Sequence, residues 1–173
     1  LKKHYTIIDG YNVIGQSQTL KTIAQSSLEE ARNELLLTLA SFEARVDDEV
    51  IIVFDAYDVK DGQKEVYFHG IKVIYSREKE TADEVIERLV YDLYEKHITQ
   101  IKVVTSDMSE QHTIFGSGAL RIPSREFLND LRYEASLIEK DIEGLANNRP
   151  RTRISIDETT KEKLERLRRG IHD

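Results

Sequence analysis

The chain has 173 residues, no cysteine and a net charge of −7, from 25 Lys and Arg against 32 Asp and Glu. That length suits one domain with a modest extension, and 39% hydrophobic residues supply a core and exclude global disorder. Lack of cysteine excludes a disulfide partner, a thiolate zinc site and a cysteine nucleophile, while the acidic balance, taken alone, argues against a nucleic-acid partner.

Lys2, Lys3 and His4 lead straight into Tyr5-Thr6-Ile7-Ile8-Asp9, an apolar run that reads as a strand ending in a carboxylate, followed by Gly10. This is not the pattern of a signal peptide. No apolar run approaches the ~18 residues of a membrane span, so the expectation is a cytoplasmic protein with no membrane partner. Ser27-Leu28-Glu29-Glu30 reads as a capping box. It opens an amphipathic helix over about 28–45, with Leu28, Ala31, Leu35, Leu39 and Phe42 at helical spacing. Val50 to Asp55 is a continuous apolar run, as a strand buried on both faces requires. Residues 66–75 read as a strand, with a hairpin about His69-Gly70 as an option. Thr81-Ala82-Asp83-Glu84 is a second capping box, opening a helix with Val85, Ile86, Leu89, Val90, Leu93 and Tyr94 inward. Ile101 to Thr105 is a strand running out at Ser106-Asp107. A short helix over Ser109–Ile114, a turn at Gly116-Ser117-Gly118 and a strand over Ala119–Ile122 follow. Ser124 is a candidate cap for a helix to about Leu145, and a last helix is expected over about 157–169, with Leu164 and Leu167 as its docking residues.

Strands alternating with helices argue for an α/β fold with a mainly parallel sheet covered on both faces. Charge is divided unevenly along it. Residues 1–148 carry −10 and residues 149–173 carry +3, and Asn147-Asn148-Arg149-Pro150 marks the break. The expected organisation is a domain over 1–148 and a basic extension with a helix over 149–173.

Three apolar runs finish in Asp: Asp9, Asp55 and Asp107. Asp83 lies in the first turn of a helix that follows another strand, and Asn12 stands three residues after Asp9. In a parallel sheet all of these point to the carboxyl edge, where ligands of open α/β sheets bind. Asp also serves as a turn former and helix cap, which explains one such residue as well as a site does. Four acids at one edge repel and raise each other's pKa, and a hard cation relieves that repulsion. Oxygen donors without Cys or paired His suit Mg²⁺ or Mn²⁺. The chemistry indicated is metal-assisted attack of water on a phosphodiester, or another phosphoryl reaction. P-loop and dinucleotide motifs are absent. Tyr11 stands where a haloacid-dehalogenase-like phosphatase carries its second Asp, and no acidic pair follows the first strand as in a receiver domain.

Five segments in order, Asp9-Gly10-Tyr11-Asn12-Val13-Ile14, Val53-Phe54-Asp55-Ala56, Glu80-Thr81-Ala82-Asp83, Thr105-Ser106-Asp107 and Phe115 to Arg121, resemble the YacP-like NYN-domain proteins of the PIN-like nucleases. The resemblance covers about residues 4–146. It implies a three-layer α/β/α PIN-like fold and a bacterial, ribosome-associated endoribonuclease that cuts mRNA. It further implies a metal site at Asp9, Asp83 and Asp107, with Asp55 and Asn12 in support. In that picture Asn12 orients water or a phosphate oxygen, Ser106 hydrogen-bonds a metal ligand, and Asp55 is either a ligand or a brace for the Asp9 loop. Candidate RNA contacts are Lys60 and Lys64, Arg77 and Lys79, Arg121 and Arg125, and Lys161, Arg168 and Arg169 in the tail. Tyr11, and less distinctively Tyr57 and His112, are candidates to stack on bases. Two other readings compete: a non-catalytic RNA- or ribosome-binding module of the same fold, and a phosphotransfer enzyme that would need an enclosed pocket.

Overall fold

A computed structural model describes residues 2–56, 64–107, 118–147 and 158–170. Tyr57, Lys60 and His112, the short helix over Ser109–Ile114, most of the 116–118 turn and the break from Asn148 on lie outside the described residues. The chain divides into two compact units, Leu1–Ala135 and Ser136–Asp173.

The elements run β1 (Lys3–Asp9), α1 (Gly10–Gln16), α2 (Gln18–Ser26), α3 (Leu28–Glu43), β2 (Glu49–Phe54), β3 (Lys64–Phe68), β4 (Ile71–Tyr75), α4 (Ala82–Leu93), β5 (Thr99–Val104), β6 (Leu120–Ile122), α5 (Ser124–Asn147) and α6 (Glu158–Arg168). The six strands form one sheet in the order β3-β4-β2-β1-β5-β6. Every neighbouring pair is parallel except the β3–β4 hairpin, which turns at His69 and Gly70, both with positive φ. Strand β1 is central: Ile7 stands opposite Ile51 on one side and Val103 on the other. After β1 the chain moves outward through β2 and β4 and then returns to the far side at β5. The order therefore reverses at β1, and the end of β1 is the place where such sheets bind ligands.

Period-two alternation divides the apolar runs between two cores. Tyr5, Ile7, Ile51, Val53, Ile74, Ile101 and Val103 pack against Ala82, Val85, Ile86 and Val90 of α4. Ile8, Val50, Ile52, Phe54, Ile71, Val73 and Val104 face the other way, onto α1, α2, α3 and the start of α5. Both faces are thus covered, giving three α/β/α layers, and this is why the strands read as unbroken apolar runs. Each fully buried aliphatic side chain contributes about 1.5–3 kcal/mol.

Both capping boxes form their first half. The Ser27 hydroxyl accepts from the Glu30 N–H at 3.2 Å, and the Thr81 hydroxyl accepts from the Glu84 N–H at 3.2 Å. Three expectations change. Gly10–Gln16 and Gln18–Ser26 are helices, α1 and α2, in a stretch to which the sequence assigns no element. Tyr94 is the exposed C-cap of α4 instead of an inward helical residue. Ser124 is the first residue of α5, and its hydroxyl goes to Asn12 instead of capping the helix. In the second unit, Leu164 and Leu167 are exposed.

Gly10 is required by close approach. A Cβ there would lie 2.3 Å from the Phe54 ring, which is fully buried and has no room to yield. Gly10→Ala should destabilise the fold by about 1–3 kcal/mol through overpacking, read as a lowered urea midpoint with an unchanged slope.

Candidate active site

Asp9 ends β1 and is the N-cap residue of α1, without a side-chain capping bond. It is only 7% exposed. The Thr105 hydroxyl donates weakly to its Oδ2 at 3.4 Å. Burial pushes the Asp9 carboxyl from its ordinary 3.8 up to about 6, and the Asp83 carboxylate is the second cause. The Asn12 N–H and the Thr105 hydroxyl favour the charged form and partly offset this, and Asp55 adds a smaller repulsion.

Asp55 follows β2 and stands beside the start of α4. Its Oδ1 accepts from the Ala82 N–H at 2.6 Å, so it satisfies one of the free amides of the helix that carries Asp83. Burial raises its pKa, with Asp83 again adding repulsion, while the bonds from Ala82 and Ser76 lower it. The Ser76 hydroxyl also accepts from the Ala56 N–H at 3.1 Å, tying the β2 end to the β4 end. Asp83 itself is half-buried in the first turn of α4. Asp9, Asp55 and Asp83 thus sense one another across the carboxyl ends of β1, β2 and β4.

On the β5 side the backbone is braced by side chains. Asn12 Oδ1 accepts from the Ser106 N–H at 2.9 Å and from the Ser124 hydroxyl at 2.7 Å. The Ser106 hydroxyl accepts from the Ser124 N–H at 3.1 Å. The Asp107 N–H donates to the Thr105 hydroxyl at 3.2 Å, and Arg121 Nε donates to the Thr105 carbonyl at 3.1 Å. The carbonyl oxygen of Asn12 is therefore committed to holding the β1, β5 and α5 ends together, and only its amide N–H groups are free of these bonds. Ser106 and Ser124 lock together in the same brace. Ser124 is a residue that sequence reasoning assigned only to capping. Ser124→Ala should loosen this edge while costing only about 1 kcal/mol of stability, measured by thermal melting of the variant.

The remaining predicted residues divide as follows. Arg77, Lys79 and Arg125 are exposed. Lys79 lines a half-open depression of about 270 Å³ with Asp55, Ala56, Glu78, Glu80 and Thr81. Lys64 lies exposed on β3, and Arg168 and Arg169 are exposed at the end of α6 in the second unit. Tyr11 is not splayed outward. Its ring packs on Phe54 with centroids 5.1 Å apart, and its hydroxyl accepts from Arg32 Nη1 at 2.9 Å. Burial raises its pKa, opposed by Arg32.

The donor set is all oxygen, which suits a hard divalent cation, and the repulsion around Asp9 is of the kind a cation relieves. Among the described residues, no group of three or more His, Asp or Glu side chains is gathered closely enough to hold a metal ion. No helix among them is long and apolar enough to cross a membrane.

Residues 6–169 match the family model of the YacP-like NYN domain. YacP of Bacillus subtilis (strain 168) is 40% identical over 167 residues, covering 96% of this chain and 98% of that protein. A crystal structure of Rae1 (YacP) from Bacillus subtilis is similar with a TM-score of 0.72 at 39% identity, covering 96% of this chain and 95% of that one. A mutant form of the same protein gives a TM-score of 0.72 at 34% identity, covering 97% and 96%. Similarity over nearly the whole length, on a sheet whose carboxyl edge carries Asp9, Asp55 and Asp83, means that this chain belongs to the YacP-like NYN-domain family of the PIN-like superfamily.

Proposed function

We propose that this chain is a metal-dependent endoribonuclease that cleaves RNA, with mRNA on the translating ribosome as its substrate in the cytoplasm. The carrying observation is Asp9, a nearly buried carboxyl at the switch point of the sheet, pushed up to about 6 by burial and by Asp83. A group in that state invites a cation, and a purely structural helix cap has no need of two further acids beside it. Asp9, Asp83 and Asp107, with Asp55, would hold Mg²⁺ or Mn²⁺. When bound, such an ion lowers the pKa of a water ligand and offsets charge on the scissile phosphate.

The protein's own groups do the rest. The brace among Asn12, Ser106 and Ser124 fixes the β1 and β5 ends against each other, so that Asp9 and Asp107 keep a set separation. The Asn12 amide N–H groups point the reacting water or a phosphate oxygen. Asp55, held by the Ala82 N–H, fixes the first turn of α4 and with it Asp83. Arg77, Lys79, Arg121 and Arg125 lie around this edge and meet the RNA backbone. Phosphate contacts of this kind supply most nucleic-acid affinity and little sequence choice. Arg168 and Arg169 add a second basic surface for RNA or the ribosome.

The test is cleavage of free and ribosome-bound RNA with Mg²⁺, Mn²⁺ or EDTA. Metal-dependent endonucleolytic products are expected. Binding of RNA with no cleavage under any of these conditions would instead establish the non-catalytic binding module.

A further inference from the structure

Arg32 lies in the first turns of α3, on the connection that carries the chain from the carboxyl edge of β1 back to the start of β2. It is half-buried. Its Nη1 donates to the Tyr11 hydroxyl at 2.9 Å, and Tyr11 packs on Phe54, which stacks on Tyr75 with centroids 5.8 Å apart. Tyr11 follows Asp9 by two residues and Phe54 immediately precedes Asp55. The aromatic column thus anchors the guanidinium to the same edge as the carboxylates.

Among the described residues, no carboxylate forms an ion pair with Arg32. That is an unusual economy for a half-buried cation. Withdrawing a guanidinium from water costs desolvation energy that an anion normally offsets. A phenol is a neutral acceptor and needs no charged donor. The bond to Tyr11 uses one N–H, which leaves most of the planar fork for an acceptor with two oxygens. A phosphodiester has that geometry and the missing negative charge.

We propose that Arg32, oriented by Tyr11, binds a backbone phosphate of the RNA neighbouring the scissile one. The identity of the ligand as RNA rests on the nuclease reading above. Arg32 supplies a fixed positive charge beside carboxylates that repel a polyanion. It holds the strand in register on the α1–α3 side of the sheet, while the Tyr11 ring braces the fork instead of stacking on a base.

The test is binding of a labelled single-stranded RNA to the full chain without divalent metal, so that no cleavage intervenes, over a series of salt concentrations. Arg32→Gln keeps a donor for the Tyr11 hydroxyl but removes the charge. It should weaken binding by roughly tenfold and lower the slope of log K against log salt by about 0.7, the loss of one single-strand phosphate contact. Tyr11→Phe keeps the charge and should leave the slope at the wild-type value. Arg32→Lys should keep the slope and lose part of the affinity, since an ammonium lacks the fork. A wild-type slope in Arg32→Gln overturns the proposal, even if the wild type cuts RNA. A wild type that shows the Arg32-dependent slope but never cuts RNA overturns the nuclease reading and leaves the phosphate site standing.

Discussion

Asp83→Asn should reduce metal-dependent RNA cleavage by at least about a hundredfold and leave the fold intact. Stabilisation of charge by a catalytic metal is worth several kcal/mol, and each 1.4 kcal/mol is a factor of ten in rate. Asp83 is half-buried in the first turn of α4, where an acid is favoured by the helix dipole. The loss of that favourable contact in Asn is small, about 0.3–1 kcal/mol. Repulsion on Asp9 and Asp55 is relieved at the same time, so the net change in melting temperature should be slight. The two readouts separate a site residue from a structural one. Full cleavage by Asp83→Asn would remove it from the site, and loss of cleavage with loss of fold would assign it to helix capping. The variant should also retain RNA affinity in the absence of metal, because the proposed phosphate contacts are elsewhere.

The layers and the acidic edge were legible because their signals are local. Unbroken runs such as Val50 to Phe54 imply burial on both faces, and Ser27 and Thr81 announce the helices they cap. Asp9, Asp55 and Asp83 could be brought to one edge from the alternation of strands and helices alone. Helices α1 and α2 were not legible. Gly10, Asn12, Gly15 and Thr19 are poor helix formers, and these turns exist because Val13, Ile14 and Leu20 bury against the sheet. Tertiary packing overrode propensity there. The brace was also hidden. Asn12 meets Ser106 and Ser124 across 94 and 112 residues of chain, and no spacing rule reaches that far. The partners of Tyr11 were hidden for a related reason. A tyrosine beside a motif reads as a stacking group, and its contacts with the Phe54 ring and Arg32 come from 43 and 21 residues further along the chain. The same distant pairing concealed Arg32, which in sequence is one more arginine on an amphipathic helix.

Asp9 makes the metal-free protein less stable as pH rises. The folded protein keeps the Asp9 proton up to about pH 6, whereas the ordinary carboxyl value of 3.8 governs the unfolded chain. Between those two values the folded state binds more protons than the unfolded state, so the stability of the fold falls with increasing pH. Below about pH 4 both states are protonated and nothing is lost; above about pH 6 both are ionised and the loss is complete. The accumulated cost at neutral pH is on the order of 2–3 kcal/mol. Asp55 acts in the same direction. Asp9→Asn removes the buried charge, so without metal it should melt several degrees above wild type at pH ~7 and show little of that advantage at pH ~4. The same variant should lose RNA cleavage, the exchange of stability for function expected of a charge retained for its chemistry. Excess Mg²⁺ or Mn²⁺ should raise the melting temperature of the wild type at neutral pH, since a ligand that binds only the folded state stabilises it. It should do so far less in Asp9→Asn. Unfolding curves for both proteins, with and without metal at the two pH values, measure all of this. Identical pH profiles for wild type and variant would show that Asp9 does not carry the strain. A metal response in Asp9→Asn equal to that of the wild type would place the cation elsewhere.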